Sequence, residues 1–175
     1  TELLNNTNCD AFVAIVNRRH TYHVAKDILD AGYNLLTEKP MAQNASDALE
    51  LVKIANEKSL IYSVGFMKRY DPGIRKAKEI INNEGYRDNL GKIISIRASL
   101  EAGNDYCNIH ERIKSNEPKP ETSEERIAPS WLAKPFRREY ESFVNVVSHK
   151  LDLLTFLINQ IPEIKFVDYR PSGIS

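Results

Sequence analysis

The chain has 175 residues, of which 42% are hydrophobic, and its 24 Lys and Arg side chains balance 24 Asp and Glu side chains. This composition is typical of a soluble globular protein with a buried core, and it excludes the broadly basic surface that holds nucleic acid or an anionic membrane. Cys9 and Cys107 lie far apart without CxxC neighbours, so neither a disulfide framework nor a metal site is expected. Since no apolar run is long enough to span a bilayer and the first residues lack a signal-peptide pattern, we expect a cytoplasmic protein without a membrane partner.

The first third of the chain alternates between strand and helix patterns. Residues 11–16, AFVAIV, are continuously apolar, which predicts a parallel strand covered on both faces. In VAKDILDAGYN, residues 24–34, apolar side chains recur at helical spacing, and Gly32 is placed where a helix ends. Leu35 and Leu36 then predict a second strand.

A second helix and a third strand follow. We expect Ser46 and Asp47 to cap a helix over residues 48–58. Its inward stripe is predicted to consist of Leu49, Val52 and Ile54. Residues 60–66, LIYSVGF, predict another strand. Because strands that alternate with helices form parallel sheets, the predicted fold class is α/β, with residues 1–66 forming half of a doubly wound domain.

The pattern changes after residue 66. Asp71 and Pro72 predict the start of a helix that reaches Ile81. Residues 92–100 and 163–169 alternate as strands with one covered face, while the charged, proline-rich residues 111–126 predict a long surface loop. Residues 139–159 predict an amphipathic helix. Its buried side is expected to consist of Phe143, Val147, Leu151, Leu154 and Ile158.

Lys39 follows the second predicted strand in the sequence Thr37-Glu38-Lys39-Pro40. Ligands of open α/β sheets bind outside the carboxyl ends of the strands. A lysine there can hydrogen-bond a substrate hydroxyl and, once desolvated, take part in proton transfer. The alternative is a solvated lysine ahead of a proline turn, and spacing alone favours that alternative.

Polar side chains interrupt the last predicted helix. Asn145, His149 and Asp152 share one helix face because they are spaced by four and three residues, and Ser148 lies beside them. Buried polar groups need partners, since an unpaired one costs about 1–3 kcal/mol. A ligand site would supply those partners. A core histidine satisfied by Asp152 or by a backbone carbonyl would also account for the pattern.

Three segments in this order, VAIVNRRHTYHVAKDILDAGYNLLTEKPMA, IYSVGFMKRYDP and NVVSHKLDLL, carry a specific resemblance. The chain resembles the Gfo/Idh/MocA family, named after glucose-fructose oxidoreductase, inositol dehydrogenase and the rhizopine-catabolism protein. The resemblance covers nearly the whole chain apart from the charged loop. It implies an oxidoreductase that uses NAD or NADP to act on a sugar, a polyol or a nucleotide-sugar, and that forms a homo-oligomer.

The resemblance also implies a domain division. Residues 1–66 correspond to the C-terminal part of a dinucleotide-binding Rossmann domain. Residues 67–175 correspond to part of a substrate-binding and dimerisation domain, an α+β unit with an open, mostly antiparallel sheet.

Individual roles are implied in the same way. Lys39 and His149 match the family's catalytic lysine and histidine, with His149 as the proton acceptor for a sugar hydroxyl. The cofactor is expected to contact Glu38, Lys39, Pro40 and Arg69. The substrate is expected to contact Tyr70, Asn145 and Asp152. His23 matches a histidine with a structural or cofactor-side role.

Two departures from the family pattern limit these expectations. The family's aspartate four residues before the helix histidine is Asn145 here, and an amide cannot accept a proton to become a neutral acid. None of the seven glycines lies two residues from another, so the GxGxxG fingerprint that holds a pyrophosphate cannot occur. We therefore expect a fragment that binds dinucleotide poorly by itself. The alternative hypothesis is a non-catalytic sugar-binding or assembly module of the same fold.

Overall fold

A computed structural model describes residues 2–99, 116, 128–161, 163, 165 and 166. Its strands are β1 (Ala11–Ala14), β2 (Asn34–Thr37) and β3 (Tyr62–Val64). Its α-helices are α1 (Glu2–Asn6), α2 (Thr21–Asp30), α3 (Ala45–Glu57), α4 (Pro72–Asn82), α5 (Glu84–Leu90), α6 (Arg137–Ser142) and α7 (Ser148–Ile158). The described elements also include 3₁₀ turns over Met67–Tyr70 and Lys134–Phe136 and a π-helical turn over Phe143–Val147.

The three strands form a parallel sheet in the order β1-β2-β3, with Val13 opposite Leu36 and Leu36 opposite Ser63. α2 and α3 connect successive strands and pack against each other over the sheet. Both helices lie on one face because the strand order advances in one direction and β-α-β crossovers are right-handed. The predicted α/β class and its parallel sheet are confirmed.

The hydrophobic core lies between this covered face and the two helices. Its buried members are Ala14, Ala25, Ile28, Leu29, Leu35, Leu51, Ile54 and Ala55. Gly32 ends the first crossover helix, as predicted. Its φ of 88° lies in the left-handed region that glycine adopts without strain, and its N–H donates to Leu29 O at 3.0 Å.

The described residues leave the opposite face of the sheet exposed, so the structure does not show the cover on both faces that was predicted for residues 11–16. β1 ends at Ala14, and Ile15 is 76% exposed. Val13 and its register partner Leu36 are also exposed, as is Ile61. A continuous apolar run predicts cover on both faces, but the described helices cover only one. We call Val13, Ile15, Leu36 and Ile61 the bare face.

α3 begins at Ala45, earlier than the predicted residue 48. Asn44 is its N-cap, because the Asn44 side-chain oxygen accepts a hydrogen bond from Asp47 N at 2.9 Å. Ser46 and Asp47, the predicted caps, instead contact the Asn44 side chain through their own side chains. The amide of asparagine can accept from the backbone and donate to a carboxylate together, which makes it the better cap here.

The predicted inward stripe of α3 is also corrected. Leu51, Ile54 and Ala55 are buried against the sheet, whereas Leu49 and Val52 are exposed. Ile54 and Ala55 lie three and four residues after Leu51 and share one helix face with it. Val52 and Ile54 are two residues apart and do not share a face, so the predicted stripe combined residues from two sides of the helix.

The elements after residue 66 agree with the prediction only in part. α4 begins as expected, with Asp71 accepting hydrogen bonds from the N–H groups of Gly73 and Ile74. Residues 92–99 form no strand, and Ile94 is 99% exposed, so the strand prediction for this segment is wrong. A strand needs a hydrogen-bonded neighbour, and no described residue supplies one there. The described ranges contain no antiparallel sheet, and most residues of 111–126 and 163–169 lie outside them.

The last predicted helix is present as a single helical run over residues 137–158, formed by α6, the π-helical turn and α7. Its predicted apolar side is half-buried rather than fully buried. α7 packs against α4 and the 3₁₀ turn that follows β3, which brings it to the carboxyl ends of the strands. Among the described residues, no helix has the length and apolar character needed to cross a membrane.

Candidate active site

Two strand ends meet where the candidate site begins. Glu38 and Lys39 follow β2, and Gly65 and Phe66 follow β3. Gly65 N donates to Thr37 O at 2.8 Å, which extends the parallel ladder by one bond. A Cβ at position 65 would lie 3.3 Å from both Thr37 O and a Glu38 carboxylate oxygen. The glycine therefore allows the backbone after β3 to approach the Glu38 side chain closely.

The Lys39 ammonium connects this edge to the last helical run. Lys39 Nζ donates to Asn145 Oδ1 at 2.6 Å and to Asn145 O at 3.0 Å. Pro40, the next residue, is buried. Further along, Tyr140 OH donates to Gln43 O at 2.5 Å, so a second hydrogen bond attaches the helical run to the segment after β2. Burial raises the pKa of Tyr140, which keeps this donor protonated.

His149 lies one helical turn after Asn145, with its ring edge-to-face against Phe66 at 6.1 Å between centroids. Burial lowers the pKa of His149 below its usual value, and the positive charges of Lys39 and Lys68 lower it further. The carboxylates of Asp152 and Glu38 act in the opposite direction. Lys39 and His149, predicted as the catalytic pair, are therefore close enough to interact electrostatically.

Two polar atoms on this part of α7 are buried without a hydrogen-bond partner among the described residues. They are His149 Nδ1 and Ser148 Oγ. A buried polar group without a partner is unfavourable by about 1–3 kcal/mol. These atoms are candidates for contact with a ligand.

Arg69 and Asp152 bond to each other. Arg69 Nε lies 2.9 Å from both oxygens of Asp152, and Arg69 Nη2 also contacts Asp152 Oδ1. The Asp152 hydrogen bonds raise the pKa of Arg69. The guanidinium lies 6.0 Å from the Phe66 ring centroid and 5.4 Å from that of Phe156. This pair ties the turn after β3 to α7.

Tyr70 is exposed at the edge of an open groove of about 560 Å³ beside this cluster. The lining residues are Met67, Lys68, Tyr70, Asp71, Ile74 and Leu153. Leu153 lies four residues after His149 on the same face of α7, so the groove adjoins the histidine. His23, by contrast, is exposed on α2 with its ring against Tyr22.

Sequence reasoning missed two aromatic side chains. Phe66 contacts both His149 and Arg69, and Phe156 lies beneath Arg69 with Lys78 Nζ 3.7 Å from its centroid. Spacing could have revealed Phe156, because it lies four residues after Asp152 on the same helix face. No comparable sequence signal marks Phe66. Within the described ranges, no three His, Cys, Asp or Glu side chains are grouped so as to hold a metal ion.

A parallel sheet with polar side chains gathered outside the carboxyl ends of its strands defines the ligand-binding class of open α/β domains. Residues 1–66 match the oxidoreductase family GFO_IDH_MocA, an NAD-binding Rossmann fold. The match covers the segment that contains the three strands and the two helices that connect them.

Several curated relatives that match are named oxidoreductases or dehydrogenases. The chain is 36% identical over 72 residues to the putative oxidoreductase YceM of Salmonella typhimurium, a match that covers 41% of this chain and 24% of that protein. It is 36% identical over 101 residues to the inositol 2-dehydrogenase/D-chiro-inositol 3-dehydrogenase of Lacticaseibacillus casei, which covers 57% and 28% respectively. The chain thus spans about a quarter of the length of these relatives.

Solved structures that are similar over most of the chain include the following one. The WlbA dehydrogenase from Bordetella pertussis, in complex with NADH and UDP-GlcNAcA, superposes with a TM-score of 0.55 at 21% identity. The match covers 90% of this chain and 39% of that one. At this identity the comparison establishes a similarity of fold alone.

Proposed function

We propose that this chain is part of an NAD(P)-dependent dehydrogenase that transfers a hydride between a hydroxyl-bearing carbon and nicotinamide. The substrate proposed is a sugar, a polyol or a nucleotide-sugar. The observation that carries the proposal is the approach of the Lys39 ammonium to the His149 face of α7 through Asn145. This contact spans 106 residues of sequence and supports a site at one edge of the sheet in which Lys39 and His149 both take part.

In the proposed oxidation of an alcohol, Lys39 and His149 have different roles. As the carbon–oxygen bond becomes a carbonyl, the carbon loses a hydride and the oxygen loses a proton. The lowered pKa of His149 keeps its imidazole neutral near pH 7 and able to accept that proton. The Lys39 ammonium donates a hydrogen bond to the oxygen and stabilises the negative charge that develops there. In the reverse direction, protonated His149 returns the proton.

The nicotinamide cofactor would supply the hydride acceptor when bound. The buried, unpartnered Nδ1 of His149 fits a site that is completed by a ligand. Glu38, Lys39 and Pro40, at the carboxyl end of β2, are proposed to border the nicotinamide ribose. Arg69, held by Asp152, is proposed to border the ring side of the same site.

We also propose that residues 67–175 belong to a substrate-binding domain and that the bare face is covered in the complete protein. The four side chains of the bare face are large, apolar and exposed, and patches of this kind are normally buried against another segment or subunit. This supports the view that the chain is a fragment, inactive by itself, of a homo-oligomeric enzyme.

The test is a sugar, polyol and sugar-nucleotide screen of the complete protein with NAD and with NADP, followed by the absorbance of the reduced nicotinamide. Lys39→Met should lower kcat by about 10²-fold or more, because it removes a hydrogen-bond donor to the reacting oxygen. Lys53→Met is the matched control, since Lys53 lies on the exposed side of α3 in a weak pair with Glu57. Equal activity in the two variants would remove Lys39 from the mechanism.

A second candidate, a non-catalytic sugar-binding or assembly module, is favoured by one observation. The Lys39 ammonium is bonded to the neutral amide of Asn145, where the family pattern has a carboxylate. Saturable sugar binding by calorimetry, without any change in nicotinamide absorbance for the bound sugars, would support this candidate over the dehydrogenase.

A further inference from the structure

Two oxygens of one residue hold the Lys39 ammonium. The side-chain and main-chain oxygens of Asn145 lie 2.6 Å and 3.0 Å from Lys39 Nζ. An ammonium has three donors, and here two of them can bond to oxygens of a single residue. The contact therefore orients the lysine as well as holding it near α7.

The local helix geometry explains how one residue presents both oxygens. Asn145 is the central residue of the π-helical turn Phe143–Val147. A π-helical turn bonds five residues along instead of four, which widens the helix locally, and single turns of this type are frequent at functional sites. A carbonyl oxygen has two lone pairs, so Asn145 O can accept from Lys39 in addition to the helix.

Charged groups from three elements act on the neighbouring His149. Lys39 and Glu38 follow β2, Lys68 lies in the 3₁₀ turn after β3, and Asp152 lies on α7. Arg69 bonds both oxygens of Asp152, which directs that carboxylate toward the guanidinium. The two oxygens of Asn145 that contact Lys39 are neutral. A neutral oxygen favours the charged form of a lysine less than a carboxylate at the same distance would.

We propose that Asn145 is a positioning residue for Lys39 and not a contact for the substrate. The proposal rests on the proposed dehydrogenase function for its role in catalysis, but the positioning itself has a readout that does not require activity. The amide of Asn145 fixes the position of the Lys39 ammonium. Because the amide is neutral, it adds no negative charge that would bind the proton of the ammonium more tightly.

The first experiment follows the titration of Lys39 by NMR in the complete protein labelled with ¹³C-lysine, with the signal assigned through Lys39→Met. Asn145→Asp keeps the shape of the side chain and adds a negative charge, so the pKa of Lys39 should rise by about 1–3 units. Asn56→Asp, the same chemical change on the exposed side of α3, is the control and should leave the Lys39 titration unchanged.

The second experiment measures steady-state kinetics. Asn145→Ala should lower kcat by about 10-fold or more, as expected for one lost hydrogen bond to a charged group, with KM for the sugar changed less than twofold. In Asn145→Asp the falling limb of kcat against pH, which reports loss of the proton from Lys39, should move to higher pH. Asn145→Ser serves in place of Asn145→Ala if the alanine variant does not fold.

The outcomes separate this proposal from the proposed function. An unmoved Lys39 titration in Asn145→Asp, or a raised KM with unchanged kcat in Asn145→Ala, would overturn the positioning role while leaving a dehydrogenase intact. A shifted titration in a protein that oxidises no sugar or polyol would support the positioning geometry and contradict the dehydrogenase.

Discussion

Arg69 Nε lies 2.9 Å from both carboxylate oxygens of Asp152, across 83 residues of sequence. The Asp152 side chain is only 7% exposed, whereas that of Arg69 is 42% exposed. From the sequence, Arg69 was expected at the cofactor and Asp152 at the substrate; in the structure each is the other's partner. Asp152 lies three residues after His149, so the pair fixes how α7 is rotated against the turn after β3.

Removal of Arg69 should therefore destabilise the protein. Arg69→Met leaves the Asp152 carboxylate buried without its cation, and the free energy of unfolding should fall by about 1–3 kcal/mol. The partial exposure of Arg69 keeps the loss below that of a fully buried pair. Urea denaturation measures the change, and Lys53→Met, in an exposed ion pair, should change it by less than about 1 kcal/mol.

The double substitution Arg69→Met with Asp152→Leu provides the control for this prediction. It removes the buried carboxylate together with its cation, so it should cost less free energy of unfolding than Arg69→Met alone. A double variant that is less stable than either single variant would contradict an electrostatic origin and point to lost packing against Phe66 and Phe156.

The titration of His149 should respond to its cationic neighbours. Burial contributes most to the lowered pKa, followed by Lys39 and then Lys68. Lys68→Met removes one positive charge while leaving burial unchanged, so the pKa of His149 should rise toward its ordinary value. The C2 proton shift of His149 in an NMR titration measures this. Lys53→Met, which changes a distant exposed lysine, should not alter the titration.

The same lowered pKa makes stability depend on pH. Below the unfolded-state pKa of about 6.5 the unfolded chain binds a proton that folded His149 resists, so stability falls as pH falls from there through the folded-state pKa. Above about pH 6.5 both states are neutral at this residue, and the contribution is constant. His149→Gln should therefore show a shallower loss of unfolding free energy than the unsubstituted protein as the pH falls below about 6.5. Equal slopes in urea denaturation would contradict this expectation.

Much of the fold in residues 11–64 could be predicted because strand and helix patterns differ in period. The end of α2 at Gly32 and the start of α4 at Asp71 also followed from local chemistry. The bare face could not be predicted, since a continuous apolar strand does not reveal which of its faces the rest of the chain covers. The strand expected over residues 92–100 failed for a related reason: pairing depends on a neighbour distant in sequence.

The candidate site, like the fold, could be predicted only in part from the sequence. Helical spacing placed Asn145, His149 and Asp152 on one face, but it gave no information on which of them bonds to which group from the sheet. The partners of Asn145 and Asp152 are Lys39 and Arg69, more than 80 residues away in each case. Such pairings are set by how α7 packs across the strand ends.

The corrected stripe of α3 gives a direct test of the core. Leu51 is fully buried and Leu49 is 68% exposed on the same helix. Leu51→Ala should lower the free energy of unfolding by about 2–5 kcal/mol, because it leaves a cavity against the sheet. Leu49→Ala should change it by less than about 0.5 kcal/mol. The reverse order of the two losses in thermal or urea unfolding would restore the face predicted from the sequence.

The bare face should control how the isolated chain associates. Val13 and Ile15 are exposed side chains at the edge of the sheet, and apolar patches left open promote association. Val13→Thr with Ile15→Thr keeps β-branched side chains in place and should lower both the binding of a hydrophobic dye and the weight-average mass in sedimentation. If the proposed cover by another segment or subunit exists, the same double substitution should lower the stability of the complete protein, because it removes apolar burial. A double variant equally stable as the unsubstituted complete protein would show that the face stays open in the complete protein as well.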